Sequence, residues 1–204
     1  MTGEAAARAV AAALLATLLA GCGGGAANAP ADGPADSLSM DEAVSTAKGH
    51  LLARSALPRL AGDTSVLDLD DIAGEVTDPV VEQRLDADGF VVGVRRDLRG
   101  RARDVTGADS RVLVFADAGG ADSFVRSVAD DPDPWFGSPS QAREIDIGDA
   151  RGVLVKPPLC ACAGAQPVYA ALVAEGNRVL WLQVTGPRTT ADTARNLLGS
   201  VLHS

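Results

Sequence analysis

The feature that most constrains the fold of this chain is a pair of apolar segments near its C-terminus, residues 168–173 and 178–184. Both are rich in β-branched and aliphatic residues, which favour strands. The sequence Glu-Gly-Asn at residues 175–177 lies between them and is typical of a tight hairpin turn. The pattern predicts two antiparallel strands. Apolar residues at helical spacing predict a helix directly after them, over about residues 190–202.

The same order of strand, strand and helix is predicted about 70 residues earlier in the chain. Residues 89–94 and 111–115 are predicted strands, and residues 121–128 are a predicted helix that Pro132 and Pro134 end. We therefore predict an α+β domain, an antiparallel sheet covered by helices. Two β-β-α units are one arrangement that this pattern allows.

Three further segments carry weaker signals. Ser39 followed by Glu42 has the spacing of a capping box and predicts a helix over about residues 40–56. Residues 153–155 are predicted to form a strand, and residues 66–72 fit either a short strand or a helical turn. The acidic residues in that last segment lack the glycine of a calcium-binding EF-hand loop, so we interpret them as a solvated turn that caps a helix.

Composition limits the possible partners and chemistry. The chain has 204 residues, with 27 acidic and 18 basic side chains and a net charge of −9, which argues against nucleic acid as a partner. There is no Gly-x-Ser-x-Gly motif, and only two histidines and three cysteines are present. No nucleophile–base pair or complete metal-ligand set is visible. We predict no enzymatic activity, no cofactor and no metal site.

The N-terminus has the pattern of an export signal. Arg8 precedes about a dozen apolar residues, which is too few to span a bilayer as a helix. The segment ends in Leu19-Ala20-Gly21-Cys22, which resembles the bacterial lipobox. This resemblance implies that diacylglycerol is attached to the Cys22 thiol and that residues 1–21 are removed as a lipoprotein signal peptide.

Residues 22–38 are small, polar and rich in glycine and proline, so they cannot bury enough apolar surface to fold. We predict that they form a flexible tether and that residues 39–204 form a single α+β domain. The lipobox, the tether and the alanine-, aspartate-, arginine- and valine-rich usage resemble the small surface lipoproteins of actinobacteria. The resemblance implies a location on the outer face of the cell membrane, with the covalent lipid on Cys22 as the anchor, and it brings no catalytic residues.

Two cysteines, Cys160 and Cys162, lie between predicted strands. Because exported proteins meet oxidising conditions, the interpretation that we favour is a disulfide that clamps the loop. A ring closed by two cysteines so near in sequence can be strained and reducible, which leaves a reactive thiol–disulfide pair as an alternative. A soft-metal site for Cu(I) or Zn(II) is the third, although two thiolates alone do not complete a zinc site.

Five arginines fall within nine residues of this acidic chain: Arg95, Arg96, Arg99, Arg101 and Arg103. On a strand and its turn they could form a positive edge that binds lipid head groups or an anionic wall polymer. The simpler interpretation is that they blunt an edge strand or pair with surface aspartates. Trp135 and Phe136 raise a similar choice between a recognition surface and, more commonly, an aromatic plug beneath a loop.

These patterns lead to one functional hypothesis and one alternative. We predict a membrane-anchored extracytoplasmic lipoprotein that acts as a non-catalytic binding or accessory module of the cell envelope, with an envelope protein or an anionic polymer as its partner. The alternative is a lipoprotein that handles thiol redox chemistry or a soft metal through Cys160 and Cys162.

Overall fold

The structure, a computed structural model, describes residues 39–76, 79–101, 103–159 and 164–202. Leu38–Ser204 forms one compact unit. The predicted export signal and tether lie outside the described residues. Within the described parts, no helix is both long enough and apolar enough to cross a bilayer.

A seven-stranded sheet is the centre of the fold, with the strand order β1-β2-β3-β7-β6-β5-β4. Every neighbouring pair is antiparallel, and helices cover the sheet, so the predicted α+β class is confirmed. The strands are β1 (Leu60–Leu67), β2 (Phe90–Gly100), β3 (Gly107–Phe115), β4 (Gln141–Ile147), β5 (Ala150–Lys156), β6 (Val168–Glu175) and β7 (Arg178–Thr185).

Six α-helices are present in the described residues: α1 (Met40–Gly49), α2 (Leu69–Glu75), α3 (Pro79–Ala87), α4 (Ala118–Asp130), α5 (Asp133–Phe136) and α6 (Ala191–Leu202). The segments β2-β3-α4 and β6-β7-α6 have the predicted β-β-α order. The two segments meet where β3 pairs with β7 in the middle of the sheet.

The sheet has an apolar core on each face because successive side chains of a strand point to opposite sides. On β7, Leu180 and Leu182 belong to the core beneath α1 and α6, whereas Val179 and Trp181 belong to the core beneath α2, α3 and α4. Both cores are buried, so every central strand is covered on two sides. This explains why the strands of the predicted hairpin are almost continuously apolar.

Several predicted boundaries are corrected. The helix expected over residues 40–56 ends at Gly49, and a single 3-10 turn, Arg54–Ala56, follows. The ambiguous segment 66–72 divides at Asp68, where β1 has ended and α2 begins. The Asp68 carboxylate accepts a hydrogen bond from the Asp71 N–H at 2.8 Å and completes a capping box, which is the helix-capping role predicted for this acidic turn.

The sequence pattern missed α3, α5, β4 and most of β1, whose residues 60–65 precede the ambiguous segment. The helix α3 begins at Pro79, and only Val81 and Leu85 are buried on it, too few for a visible apolar stripe. The strand β4 is an edge strand in which Ile147 alone is fully buried, so its alternation is weak. The prolines after α4 do end that helix, but they also start the single turn of α5, as a proline near a helix N-terminus allows.

Candidate functional site

A cleft of about 740 Å³ opens at one end of the sheet, on the face that α4 covers. We call it the α5 cleft. Its lining consists of Glu75 and Val76 at the end of α2, Asp131, residues 133–138 of α5 and its flanks, Pro157 after β5, Val168 on β6 and Gln183 on β7. The cleft exists because α4 ends at Asp130 while the strands beneath it continue.

The floor of the α5 cleft is the sheet itself. Alternation along β7 places Gln183 on the same face as Trp181 and Val179, both of which are buried under the helices. Gln183 therefore occupies the first position on this strand that the helical layer leaves open. A floor made of a strand holds its side chains more rigidly than a loop would.

The aromatic wall of the cleft comes from α5. Trp135 is 7% exposed and packs edge-on against Phe124, with 4.8 Å between the ring centroids. Phe136 is half-buried and lies 5.1 Å from the Trp181 ring. The Trp135 side chain is thus the aromatic plug favoured from the sequence, whereas Phe136 keeps part of its surface in the cleft.

One polar atom in this wall lacks a partner. The indole N–H of Trp135 is buried and donates to no acceptor among the described residues. A buried donor without an acceptor costs about 1–3 kcal/mol. The wall therefore holds a hydrogen-bonding group that the fold leaves unsatisfied.

Asp133 is a charged group at the start of α5. Its carboxylate accepts hydrogen bonds from the Ser138 hydroxyl and from the Ser140 N–H, the latter at 2.7 Å. These two bonds lower the pKa of Asp133 from its ordinary value of 3.8. The lining therefore contains a carboxylate that stays ionised and is held by uncharged donors alone.

Four charged side chains beside the cleft form what we call the charge network: Glu75, Arg95, Asp109 and Arg111. Asp109 accepts from Arg95 Nη2 at 2.8 Å and from Arg111 Nη2 at 2.7 Å. Glu75 Oε2 accepts from Arg111 Nη1 at 2.6 Å, and its other oxygen pairs with Arg95 Nη1. Two cations and two anions alternate, so the network is neutral as a whole.

Arg111 is the most enclosed cation of the charge network, with a side chain that is 11% exposed. Its guanidinium carbon lies 5.0 Å above the Trp181 ring, within the range of a cation–π contact. Burial alone would lower the pKa of Arg111, but the hydrogen bonds and charges of Asp109 and Glu75 outweigh it and raise the pKa. The network thus connects the polar end of the sheet to the aromatic cluster under α4.

Comparison with known proteins identifies a domain of similar fold. No protein-family model matches this chain, and no curated protein matches it. Its structure is similar to the crystal structure of the extracellular domain of PknH from Mycobacterium tuberculosis, with a TM-score of 0.52 and 14% sequence identity. The match covers 78% of this chain and 94% of that domain. The two chains share a fold.

The structure divides the five arginines instead of gathering them on one surface. Arg95 and Arg96 point to opposite faces of β2: Arg95 joins the charge network, and Arg96 donates to the Leu52 carbonyl oxygen at 2.8 Å and to Thr64. Burial, and secondly the charge of Arg54, lower the pKa of Arg96. A continuous positive edge is therefore not formed.

The other three arginines lie toward the end of β2 and in the turn that follows it. Arg99 pairs with Asp97 at 2.8 Å, whereas Arg101 and Arg103 are exposed. Pairing with a surface aspartate thus describes Arg99, whereas Arg95 pairs with the buried Asp109 and with Glu75. The idea that the cluster blunts an edge strand is wrong, because β2 lies between β1 and β3. Binding of an anionic polymer stays a prediction, and the exposed pair Arg101 and Arg103 is the part of the cluster to which it now applies.

Cys22, Cys160 and Cys162 lie outside the described residues. Pro157, directly after β5, and Val168, the first residue of β6, flank the loop that contains the last two cysteines, and both line the α5 cleft. No group of three or more metal-binding side chains occurs in the part of the chain that the structure describes.

Sequence reasoning did not find the α5 cleft, although a signal was present. On the face of the sheet under α4, β2 and β3 change from apolar to charged side chains in one row, and β7 becomes polar one row later. Gly93, Leu113 and Val179 lie side by side, and two residues along each strand the row becomes Arg95, Arg111 and Trp181, followed by Asp97, Asp109 and Gln183. This aligned change is visible only when the strand order and register are known.

Proposed function

We propose that this chain is a membrane-anchored extracytoplasmic lipoprotein that acts as a non-catalytic binding module of the cell envelope, and that the α5 cleft holds its ligand. The observation that carries the proposal is the cleft itself. Its volume of about 740 Å³ falls in the range of small-molecule sites, and it combines an aromatic wall with a few fixed polar groups.

The chemistry of the lining favours binding over catalysis. Among its described residues, the titratable side chains are the carboxylates of Glu75, Asp131 and Asp133. Glu75 is held by two guanidiniums. The Ser138 hydroxyl lies next to Asp133, but the lowered pKa of that carboxyl makes it a poor general base for activating a hydroxyl.

Two observations support the location outside the cell. The sequence that ends in Cys22 resembles a lipobox, and two acyl chains on one cysteine would anchor the protein stably. The structurally similar domain of PknH is extracellular. This fold is therefore compatible with the extracytoplasmic face of a membrane.

Metabolic labelling tests the anchor. We expect radiolabelled palmitate to be incorporated into the full chain and the protein to fractionate with membranes. The variant Cys22→Ala should take up no label. Equal labelling of the variant, or a cytosolic wild-type protein, would refute the anchoring.

Native mass spectrometry of the full chain, extracted from its own membranes in mild detergent, tests the cleft. We expect a small-molecule adduct on the wild type. The adduct should be lost in Val168→Trp, which fills the cleft from the floor, and in Ser138→Phe, which narrows it from α5. The matched control is Val66→Trp, because Val66 is 47% exposed on the edge strand β1. An adduct that survives both cleft variants, or no adduct on any form, contradicts the proposal.

The thiol-redox or soft-metal alternative is kept because Pro157 and Val168, which flank the loop between β5 and β6 that bears Cys160 and Cys162, line the same cleft. Differential alkylation before and after reduction, read by mass spectrometry, distinguishes a permanent clamp from a reactive pair. A disulfide that resists mild thiol reductants supports the clamp and removes the redox function. Elemental analysis of the purified protein tests whether copper or zinc is bound.

A further inference from the structure

We infer that the α5 cleft selects an organic cation, a ligand that carries an ammonium group on an apolar or aromatic body. This inference names the ligand class for the site proposed above and rests on that proposal. It follows from the charge balance of the lining, the exposed aromatic surface and the position of the single carboxylate that no guanidinium neutralises.

The charge balance comes first. Three carboxylates line the cleft, and among its described lining residues there is no lysine, arginine or histidine. Glu75 is matched by the guanidiniums of the charge network, and Asp131 lies 3.7 Å from Arg84. Among the described residues, Asp133 accepts from the uncharged donors Ser138 and Ser140 and has no ion-pair partner. One negative charge in the lining is therefore left without a cationic partner.

The aromatic wall stands next to this charge. Asp133 begins α5, and Trp135 and Phe136 are the third and fourth residues of that same four-residue helix. A carboxylate beside an aromatic face favours an ammonium group, since the carboxylate supplies an ion pair and the ring supplies a cation–π contact. An anionic ligand would instead be repelled by the Asp133 carboxylate, which has no cationic partner among the described residues.

The indole N–H of Trp135 is buried and has no acceptor among the described residues. It lies in a residue that lines the cleft and is nine-tenths buried. The carboxylates do not explain this donor. The cleft thus combines an unmatched charge, a partly exposed phenylalanine and a wall residue whose indole N–H has no acceptor among the described residues.

A series of three probes with the same phenyl body tests the charge preference: the cation 2-phenylethylamine, its neutral N-acetyl derivative and the anion 3-phenylpropionate. The two tryptophans of the chain, Trp135 and Trp181, both lie at the aromatic cluster, so their fluorescence reports occupancy. For the full-length chain in detergent we expect saturable binding of the cation with a Kd of about 1 mM, and binding of the other two probes about tenfold weaker or less.

Variants then assign the preference to the cleft. Asp133→Asn should weaken binding of the cation about tenfold and leave the neutral probe unchanged. Phe136→Leu keeps apolar volume but removes the ring, and we expect it to lower the preference for the cation about threefold. The matched control is Asp149→Asn, which removes an exposed charge in the turn before β5, at the opposite end of that strand from Pro157.

The outcomes of these titrations separate the ligand class from the existence of the binding site. Equal or tighter binding of the neutral or anionic probe overturns the inference and leaves the cleft as a binding site. If neither Asp133→Asn nor Phe136→Leu changes the binding of the cation, the probe binds outside the cleft, and the inference is overturned as well. If no probe binds, the inference also fails, while the adduct comparison with Val168→Trp still decides the proposed function separately.

Discussion

The charge network allows a quantitative prediction of unfolding free energies, because its two carboxylates differ in burial but share the same partners. The Asp109 side chain is 9% exposed and that of Glu75 is 31% exposed. Asp109→Asn would leave the nearly buried Arg111 guanidinium with one remaining anion. Breaking a buried pair from one side costs about 3–5 kcal/mol, and since asparagine retains one acceptor oxygen we expect about 3 kcal/mol. For Glu75→Gln, where water screens the pair, we expect about 1 kcal/mol.

Urea unfolding followed by tryptophan fluorescence measures both free energies. With an m value of about 2 kcal/mol/M, the midpoint should fall by about 1.5 M for Asp109→Asn and about 0.5 M for Glu75→Gln. The matched control is Asp97→Asn on β2, whose side chain is 38% exposed and pairs with Arg99, and it should shift the midpoint by less than about 0.3 M. Equal losses for Asp109→Asn and Glu75→Gln, or a larger one for Glu75→Gln, would refute the claim that burial sets the strength of these pairs.

Two further predictions concern the cleft and the packing of α4. Hydrogen bonds from Ser138 and Ser140 lower the pKa of Asp133 below 3.8, so this carboxylate stays ionised down to pH 5. Binding of 2-phenylethylamine, measured by fluorescence, should therefore be constant from pH 7 to pH 5 and should weaken only below pH 5. A loss of affinity between pH 7 and pH 5 would contradict this. Gly120→Ala places a Cβ 1.9 Å from the Asp88 carbonyl oxygen and should cost about 2 kcal/mol or more in thermal unfolding. Gly74→Ala meets nothing within 4 Å and should be neutral or stabilising by up to about 1 kcal/mol; destabilisation equal to that of Gly120→Ala would contradict the steric argument.

The sequence predicts those elements whose own residues carry the signal. The hairpin of β6 and β7 is predicted because both strands are apolar and Gly176, with a φ of 57°, provides the turn. The edge strand β4 and the helix α3 bury few side chains, so their patterns resemble those of loops. Local sequence also identifies Trp135 and Phe136 as unusual, but it cannot show that Gln183 and Val168 lie in the same cleft, because strand order determines that.

The arginine cluster shows that a sequence pattern alone also cannot tell which charged side chains share a surface. A run of like charges in the sequence suggests one charged surface, yet a strand sends alternate side chains to opposite faces. Arg95 therefore meets Asp109, a residue 14 positions later, while Arg96 meets the Leu52 carbonyl oxygen, 44 positions earlier. Compensation by residues distant in sequence is invisible until the register of β2 and β3 is known.

The position of the cleft follows from two features that the sequence does encode separately. Pro132 and Pro134 end α4, so the helical layer stops before the strands do. Beneath that point, the row of Leu113 and Val179 gives way to Arg95 on β2 and Arg111 on β3, and β7 becomes polar one row later, at Gln183. A sheet face that stayed apolar past the end of α4 would expose a hydrophobic patch, and a polar face under a longer helix would bury unpaired charges. Because the helical layer ends close to the point where these strands become polar, an open and partly charged cleft is left at this end of the sheet.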